Sequence, residues 1–357
     1  MLINKFEIKT ETHSVLDMNG SLKPGYSIPL SNEDIKRAYY FMKLSRELDE
    51  KMLKMQRQGR MLTFPPNMGE EALQVATAFG MNKEDWLVPA FRSGTAFLAL
   101  GVPAWQMMLL WNGNEMGNKI PEGINIVPAN IPIGTQYSHA TGVGFALAYN
   151  NKPNVAFTFI GDGGTSEGEF YEAMNFGGVR GAHTVYCINN NQWAISTPTN
   201  KETAQLDLCT KAIAAGLAYI KVDGNDLFAS YDAVVAAKDY VIKNHKPILI
   251  EFVTYRQGPH TTSDNPRDYR SAEYETEQNK KCPILRLEKW MLANGVISQS
   301  EIDGINSKIQ SELEEANSVM ESKKVVTIDE IFDYTYAENY EELKEQKAEA
   351  KRIFGEK

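Results

Sequence analysis

Two stretches hold side chains able to do chemistry together. "GDGGTSEGEF" (Gly161 to Phe170) sets one carboxylate, Asp162, among glycines, and "INNNQWAIST" (Ile188 to Thr197) runs three asparagines after an apolar stretch. Gly161, Gly163 and Gly164 let backbone approach a ligand closely, and their N–H groups can bind oxyanions. The helix that follows offers its N-terminus to an anion. A carboxylate beside a phosphate is repulsive unless a cation lies between them. The economical reading is therefore Asp162 to Mg²⁺ to phosphate, since Mg²⁺ takes hard oxygens in octahedral geometry. An asparagine carbonyl at the next strand end adds an oxygen without adding charge. The bland alternative is a glycine-rich turn with an exposed Asp. The asparagine run, with Asn191 29 residues after Asp162, argues against it.

Other chemistries fit less well. No GxxxxGK[ST] is present, and "TGVGFALA" lacks the third glycine of a dinucleotide fingerprint. "GTSEG" (Gly164 to Gly168) matches a nucleophile elbow, with Asp226 and His245 or His260 following in triad order. An elbow sets its serine on the strand-to-helix turn, whereas this strand is expected to stop at Gly161, five residues before Ser166. A serine hydrolase is a distant alternative. His13, His139, His183 and His245 show no metal spacing; of these, His139 is the one expected to approach a pocket.

These residues need a scaffold that brings two strand ends together. From Asn154 on, "NVAFTFI", "HTVYCIN", "YIKV" and "PILIEFVTYR" read as buried strands alternating with helices. That pattern predicts an α/β fold with a doubly wound, mostly parallel sheet, whose ligands sit beyond the carboxyl ends of the strands. Residues 1–30 read as an irregular arm, 31–320 as the α/β domain and 321–357 as a charged helical tail. Residues 112–136 and 255–271 read as long loops. The methionines between 42 and 55 keep helical spacing and read as packing.

Composition narrows the class. Of 357 residues, 43% are apolar and 23% charged, with 37 Lys and Arg against 46 Asp and Glu. The net charge of -9 speaks against nucleic acid or an anionic membrane as partner. Three cysteines without CxxC spacing, no signal-peptide core and no membrane-length apolar run lead to the expectation of a soluble cytoplasmic protein.

GDG followed after 26 residues by NN resembles the thiamine diphosphate motif. "PAFRSG", "IPIGTQYSHATG", "GDGGTSEGEFYEAMNF", "NNNQWAIST", "KAIAAG", "VDGNDL" and "YRQGPHTTSDNPRDYR" extend the likeness over residues 30 to 320. In order, they resemble the alpha subunit of the decarboxylating component of 2-oxo acid dehydrogenase complexes, with bacterial, mollicute-like pyruvate dehydrogenases most alike. The resemblance implies that Asp162, the Asn191 side chain and the Trp193 carbonyl hold Mg²⁺, and that Gly163 and Gly164 touch the diphosphate. It implies that Arg92 pairs with a diphosphate oxygen, and that Phe91 stands where many relatives carry Tyr. Ile131 and Ile133 would flank the cofactor rings, Ile133 as the apolar wedge. His260 would be the catalytic loop histidine, in a loop closed by Tyr269 and Arg270. Glu169 and Glu172 are either surface acids or part of a water-filled passage between two active sites. Thr261 matches a position phosphorylated in mitochondrial relatives, and no phosphorylation is expected here.

The resemblance further implies a beta subunit that brings the acid needed to protonate the cofactor, in a heterotetramer of two alpha and two beta chains. The activity implied is decarboxylation of pyruvate and transfer of the two-carbon unit to the lipoyl arm of the acyltransferase core. Alpha subunits of branched-chain 2-oxo acid or acetoin dehydrogenase are the near alternatives. A scaffold subunit that no longer binds cofactor is the alternative from another class.

Overall fold

A computed structural model describes residues 8, 10–323 and 325–355, so the arm and tail are described only within those bounds. Strands β1 (Trp86–Val88), β2 (Ala156–Gly161), β3 (Thr184–Asn190), β6 (Ala218–Asp223) and β7 (Ile248–Val253) form one sheet in the order β1-β2-β3-β7-β6. Every pairing in it is parallel. Two short strands, β4 (Trp193–Ala194) and β5 (Thr197–Pro198), make a separate antiparallel ribbon just past β3. The edge strand β1 is three residues long, too short for its pattern to be read from sequence.

The main helices, in chain order, are α1 (Asn32–Arg57), α2 (Glu71–Gly80), α3 (Gly94–Leu100), α4 (Ala104–Trp111) and α5 (Thr135–Tyr149). They continue as α6 (Gly168–Arg180), α7 (Thr199–Glu202), α8 (Leu227–Asn244), α9 (Ala272–Asn279) and α10 (Pro283–Ala293). The last three are α11 (Gln299–Lys323), α12 (Ile328–Asp333) and α13 (Glu341–Phe354). Among the described residues no helix is long and apolar enough to cross a membrane.

Strand parity explains the layering. Successive side chains point to opposite faces of a strand, and a parallel sheet buries both. Phe157, Phe159, Val185, Cys187, Ile250 and Phe252 join one core with α1, α2, α8, α10 and α11. Ile160, Tyr186, Ile188 and Leu249 join the other with α5 and α6. The methionines Met42, Met52 and Met55 lie in the first core, and Ser31 caps α1 by accepting from the Asp34 amide at 3.1 Å.

The arm is tied down rather than loose. His13 bridges Val222 on the free edge of β6, donating to the Lys221 carbonyl at 2.8 Å and accepting from the Asp223 amide at 2.9 Å. This covers an edge that would otherwise present unpaired backbone groups. Before β6 the chain makes a 3-10 run, Leu208–Ala215, in place of a regular α-helix. Helix α11 runs to Lys323, across the boundary expected at 320.

Candidate active site

The carboxyl ends of β2 and β3 lie side by side, with Gly161 in register with Asn189. Beyond them opens a cavity of about 270 Å³, its wall including Glu70, Arg92, Asp162, Asn189, Asn191 and His260. Between β2 and α6 the chain makes a 3-10 turn, Gly163–Ser166, so the helix starts later than the sequence alone indicates. The glycines are sterically required. A Cβ on Gly163 would lie 2.7 Å from the Ala194 Cβ, and one on Gly164 would lie 2.4 Å from Ile160 Cγ1.

Asp162 is 1% exposed, and its carboxylate accepts a side-chain hydrogen bond from Thr199 Oγ1 at 2.7 Å. Burial pushes its pKa up to about 7, against the Thr199 hydrogen bond and with help from the charges of Glu202 and Glu70. A carboxylate taken from water with so few donors and two acidic neighbours favours a cation or a proton.

The asparagine run follows the period of the strand. Asn189 and Asn191 lie two apart and turn to the α2 face, where both donate to Glu70. Asn191 Nδ2 reaches Glu70 Oε1 at 2.7 Å, and Asn189 Nδ2 reaches Oε2 at 3.0 Å. Asn190, between them, faces the other way and donates to the buried Glu251 on β7 at 2.7 Å. An asparagine at a strand end can bond the local turn backbone; the Asn190 amide nitrogen instead crosses to the neighbouring strand, because β3 continues through it.

The segment after the run is held tightly. The Trp193 amide donates to Asn191 Oδ1 at 3.2 Å, and the Trp193 carbonyl accepts from Arg256 Nη1 at 3.0 Å. Arg256 Nη2 donates to the Ile195 carbonyl at 2.7 Å. Between them Gln192 (φ 75°) and the β-branched Ile195 (φ 57°) sit in the left-handed region, which costs energy and is kept where a site needs it.

Arg92 is 5% exposed and clamps the opposite wall. It donates to the Pro66 carbonyl, and Nη2 donates to the His260 carbonyl at 2.8 Å; its Nε lies 3.7 Å from Glu70. Burial lowers its pKa to about 10, opposed by Glu70, so it stays charged, and its fork keeps further donors for an anion. His260 Nδ1 lies 3.4 Å from Arg92 Nη2. Arg92 can only donate, so Nδ1 accepts and the proton sits on Nε2. Burial and the charges of Arg92 and Arg256 push His260 down to about 4, leaving a neutral imidazole. The loop carrying it is closed as expected: Tyr269 donates to Asp264 at 2.6 Å, and Arg270 donates to the Arg256 carbonyl at 2.7 Å.

Phe91, Arg92, Ile133, Asp162, Gly163, Gly164, Asn191, Trp193 and His260 all line the cavity. Ile131 does not, and is 57% exposed. His139 is exposed on α5 and likewise outside the lining. The hydrolase triad is not assembled. Ser166 donates to Glu202 at 2.7 Å, Asp226 caps α8, and His245 lies 3.0 Å from His183. Glu70 and Asn189 were missed. Glu70 reads in sequence as a first-turn acid that favours the dipole of a helix. The signal that it is buried is the apolar run of α2 after it, which leaves that helix no solvent face.

The donor set suits a hard cation and an anion. Among the described residues no group of three or more His, Cys, Asp or Glu side chains could hold a metal, so a centre here must use neutral oxygens. One carboxylate, one amide oxygen and one main-chain carbonyl are such a set for Mg²⁺. Two buried amide oxygens of wall residues, Asn189 Oδ1 and Gln136 Oε1, have no hydrogen-bond partner among the described residues. Buried acceptors of that kind are matched by a bound group or water.

The family model described as "Dehydrogenase E1 component" matches residues 39–329. The chain is 50% identical over 354 residues to the "Pyruvate dehydrogenase E1 component subunit alpha" of Mycoplasma pneumoniae, covering 99% of each. It is 42% identical over 339 residues to the protein of the same name from Acholeplasma laidlawii, covering 94% of this chain and 98% of that one. The Staphylococcus aureus protein of that name is 36% identical over 362 residues, covering 100% of this chain and 96% of its own.

Proposed function

Because the chain belongs to the dehydrogenase E1 component family, we propose that it is the alpha subunit of a pyruvate dehydrogenase that binds Mg²⁺ and thiamine diphosphate. With a beta subunit it decarboxylates pyruvate and passes the two-carbon unit to the lipoyl arm of an acyltransferase core. The observation that carries this reading is the convergence of Asp162, Asn191, Arg92 and His260 on one cavity at the carboxyl ends of β2 and β3.

Thiamine diphosphate, when bound, supplies the carbon nucleophile and electron sink that a 2-oxo acid needs to lose CO₂. Asp162, Asn191 Oδ1 and the Trp193 carbonyl hold the cation, with the second lone pair of that carbonyl left over from Arg256. Gly163 and Gly164 bring backbone N–H groups against the diphosphate, and Arg92 adds positive charge. Ile133, 40% exposed at the cavity wall, gives the rings an apolar seat. His260, neutral with its proton on Nε2, offers a hydrogen bond to an oxygen that gains charge.

A beta chain in a two-alpha, two-beta assembly agrees with an exposed apolar surface on this chain. Tyr149, Phe176 and Val179 are exposed toward the C-terminal ends of α5 and α6, and Phe145 packs against the first two. Cys187, Cys209 and Cys282 are all free and buried, in keeping with a cytoplasmic setting.

The test is co-expression with the beta subunit and an assay of CO₂ release and lipoyl acetylation from pyruvate, branched-chain 2-oxo acids and acetoin. Pyruvate should be preferred, and the alpha chain alone should be inactive. Full decarboxylation by isolated alpha, or preference for another substrate, overturns the corresponding part of the proposal.

A further inference from the structure

We propose that Glu70 is the positioning residue that aims the Asn191 oxygen at the cation, by holding the amide nitrogens of Asn191 and Asn189 at once. The inference rests on the function proposed above and concerns how this chain builds its metal-facing wall.

A carboxamide has a donor end and an acceptor end of nearly the same shape, so its neighbours decide which end faces a ligand. An ionised carboxylate only accepts. Glu70, 1% exposed at the start of α2, meets Asn191 Nδ2 with Oε1 at 2.7 Å and Asn189 Nδ2 with Oε2 at 3.0 Å. Both NH₂ groups are therefore turned toward α2, and both oxygens are turned away from it. Asn191 Oδ1 takes the Trp193 amide at 3.2 Å and keeps a lone pair for a cation. Asn189 Oδ1, in a residue 4% exposed on the cavity wall, has no partner among the described residues. Burial raises the Glu70 pKa, and Arg92, 3.7 Å away, opposes that rise together with the two asparagine amides.

A neutral amide at position 70 could not replace this arrangement. It has one accepting end and one donating end, so one of the two asparagines would meet NH₂ against NH₂ and turn over. If Asn191 turns, it presents donors to a cation.

The experiment uses the full chain co-purified with the beta subunit. Mg²⁺ is titrated at saturating thiamine diphosphate, followed by calorimetry and by tryptophan fluorescence, since Trp193 lines the cavity. Glu70→Met, which keeps the bulk and removes both acceptors, should raise the Mg²⁺ dissociation constant about 10- to 100-fold, the usual size for a residue that orients a metal ligand. Asn189→Asp added to Glu70→Gln gives the new amide nitrogen an acceptor and leaves its oxygen for Asn191. That double variant should bring the constant back to within about threefold of wild type, because the paired donors and acceptors are restored.

A residue that merely fills space would lower the melting temperature of both variants without this loss and recovery. An unchanged Mg²⁺ constant in an assembled Glu70→Met complex overturns the proposal, as does a double variant no tighter than the single. If the single variant does not assemble, the double variant decides: wild-type-like Mg²⁺ binding supports the proposal and weak binding overturns it. If the wild-type complex itself shows no Mg²⁺-dependent binding of thiamine diphosphate, the proposed function fails and takes this inference with it.

Discussion

Two aspartates lie past the carboxyl ends of strands in the same sheet, and the chain treats them oppositely. Asp226, beyond the edge strand β6, is wrapped in donors. It accepts from the Val15 and Leu16 amides at 2.7 Å each and from the Phe228 and Ala229 amides at 3.1 Å each, with Arg286 3.6 Å away. Asp162, beyond β2, has the Thr199 hydroxyl and two acidic neighbours. Burial raises the pKa of both carboxyls. At Asp226 four N–H groups and a guanidinium oppose that rise, and the carboxylate locks the arm and α8 to the sheet. At Asp162 little within the chain opposes it. A buried charge with donors all around it stabilises a fold, whereas one left short of partners marks where something else binds.

The sharpest way to break this contrast is to remove each carboxylate. Asp162→Ala should reduce Mg²⁺-dependent binding of thiamine diphosphate by about 100-fold or more, since second-shell losses alone cost 10- to 100-fold. Calorimetry on the co-expressed complex checks it, and near-wild-type affinity would end the metal assignment. Asp226→Ala should leave that affinity nearly unchanged but destabilise the chain by about 3 kcal/mol, the order seen when a buried hydrogen-bonded network loses its hub. A denaturant midpoint within error of wild type would show that the bonds to the arm contribute nothing.

His260 gives an intermediate effect. Its replacement by Asn should slow turnover about 100-fold, at the low end of what a positioned acid, base or donor contributes. Its pKa of about 4 means it does not titrate between pH 5 and 8. The acid limb of the pH–rate profile should therefore keep its midpoint in the variant. A shift in that limb would mean that His260 is the group titrating there.

The smallest effect is a slope. Asp162 has a folded pKa of about 7, above the ordinary 3.8, so the ligand-free folded chain holds a proton that the unfolded chain releases. Stability from this group is fully present below the unfolded value and declines as pH rises through about 7. Comparing Asp162→Asn with wild type isolates it: ligand-free wild type should lose ground to the variant as pH rises from 4 to 8. Excess Mg²⁺ and thiamine diphosphate should remove the difference or reverse it. Parallel stability curves would show that Asp162 is already satisfied without a ligand.

Local sequence carried the alternation of strands and helices, the Ser31 cap of α1, and the two strand ends that carry Asp162 and Asn191. Those features depend on period, turn chemistry and short-range hydrogen bonding, which act within a few residues. The positions that local pattern left unread are informative. Strand β1 is too short to show a period. Glu70 reads as a dipole-matching acid because its partners are 119 and 121 residues away. Ile131 and Ile133 look equivalent in sequence, yet only Ile133 reaches the cavity, since the loop turns between them.

The sequence by itself determined which groups were available: one carboxylate among glycines, a run of amides, an arginine and a histidine, on a framework that must bring strand ends together. Tertiary structure decided how they face. Parity along β3 sent Asn189 and Asn191 to one side and Asn190 to the other, and the packing of α2 set a carboxylate where it could meet the first two. An amide's orientation is set by whatever lies against it, and what lies against it is chosen by contacts far apart in the chain.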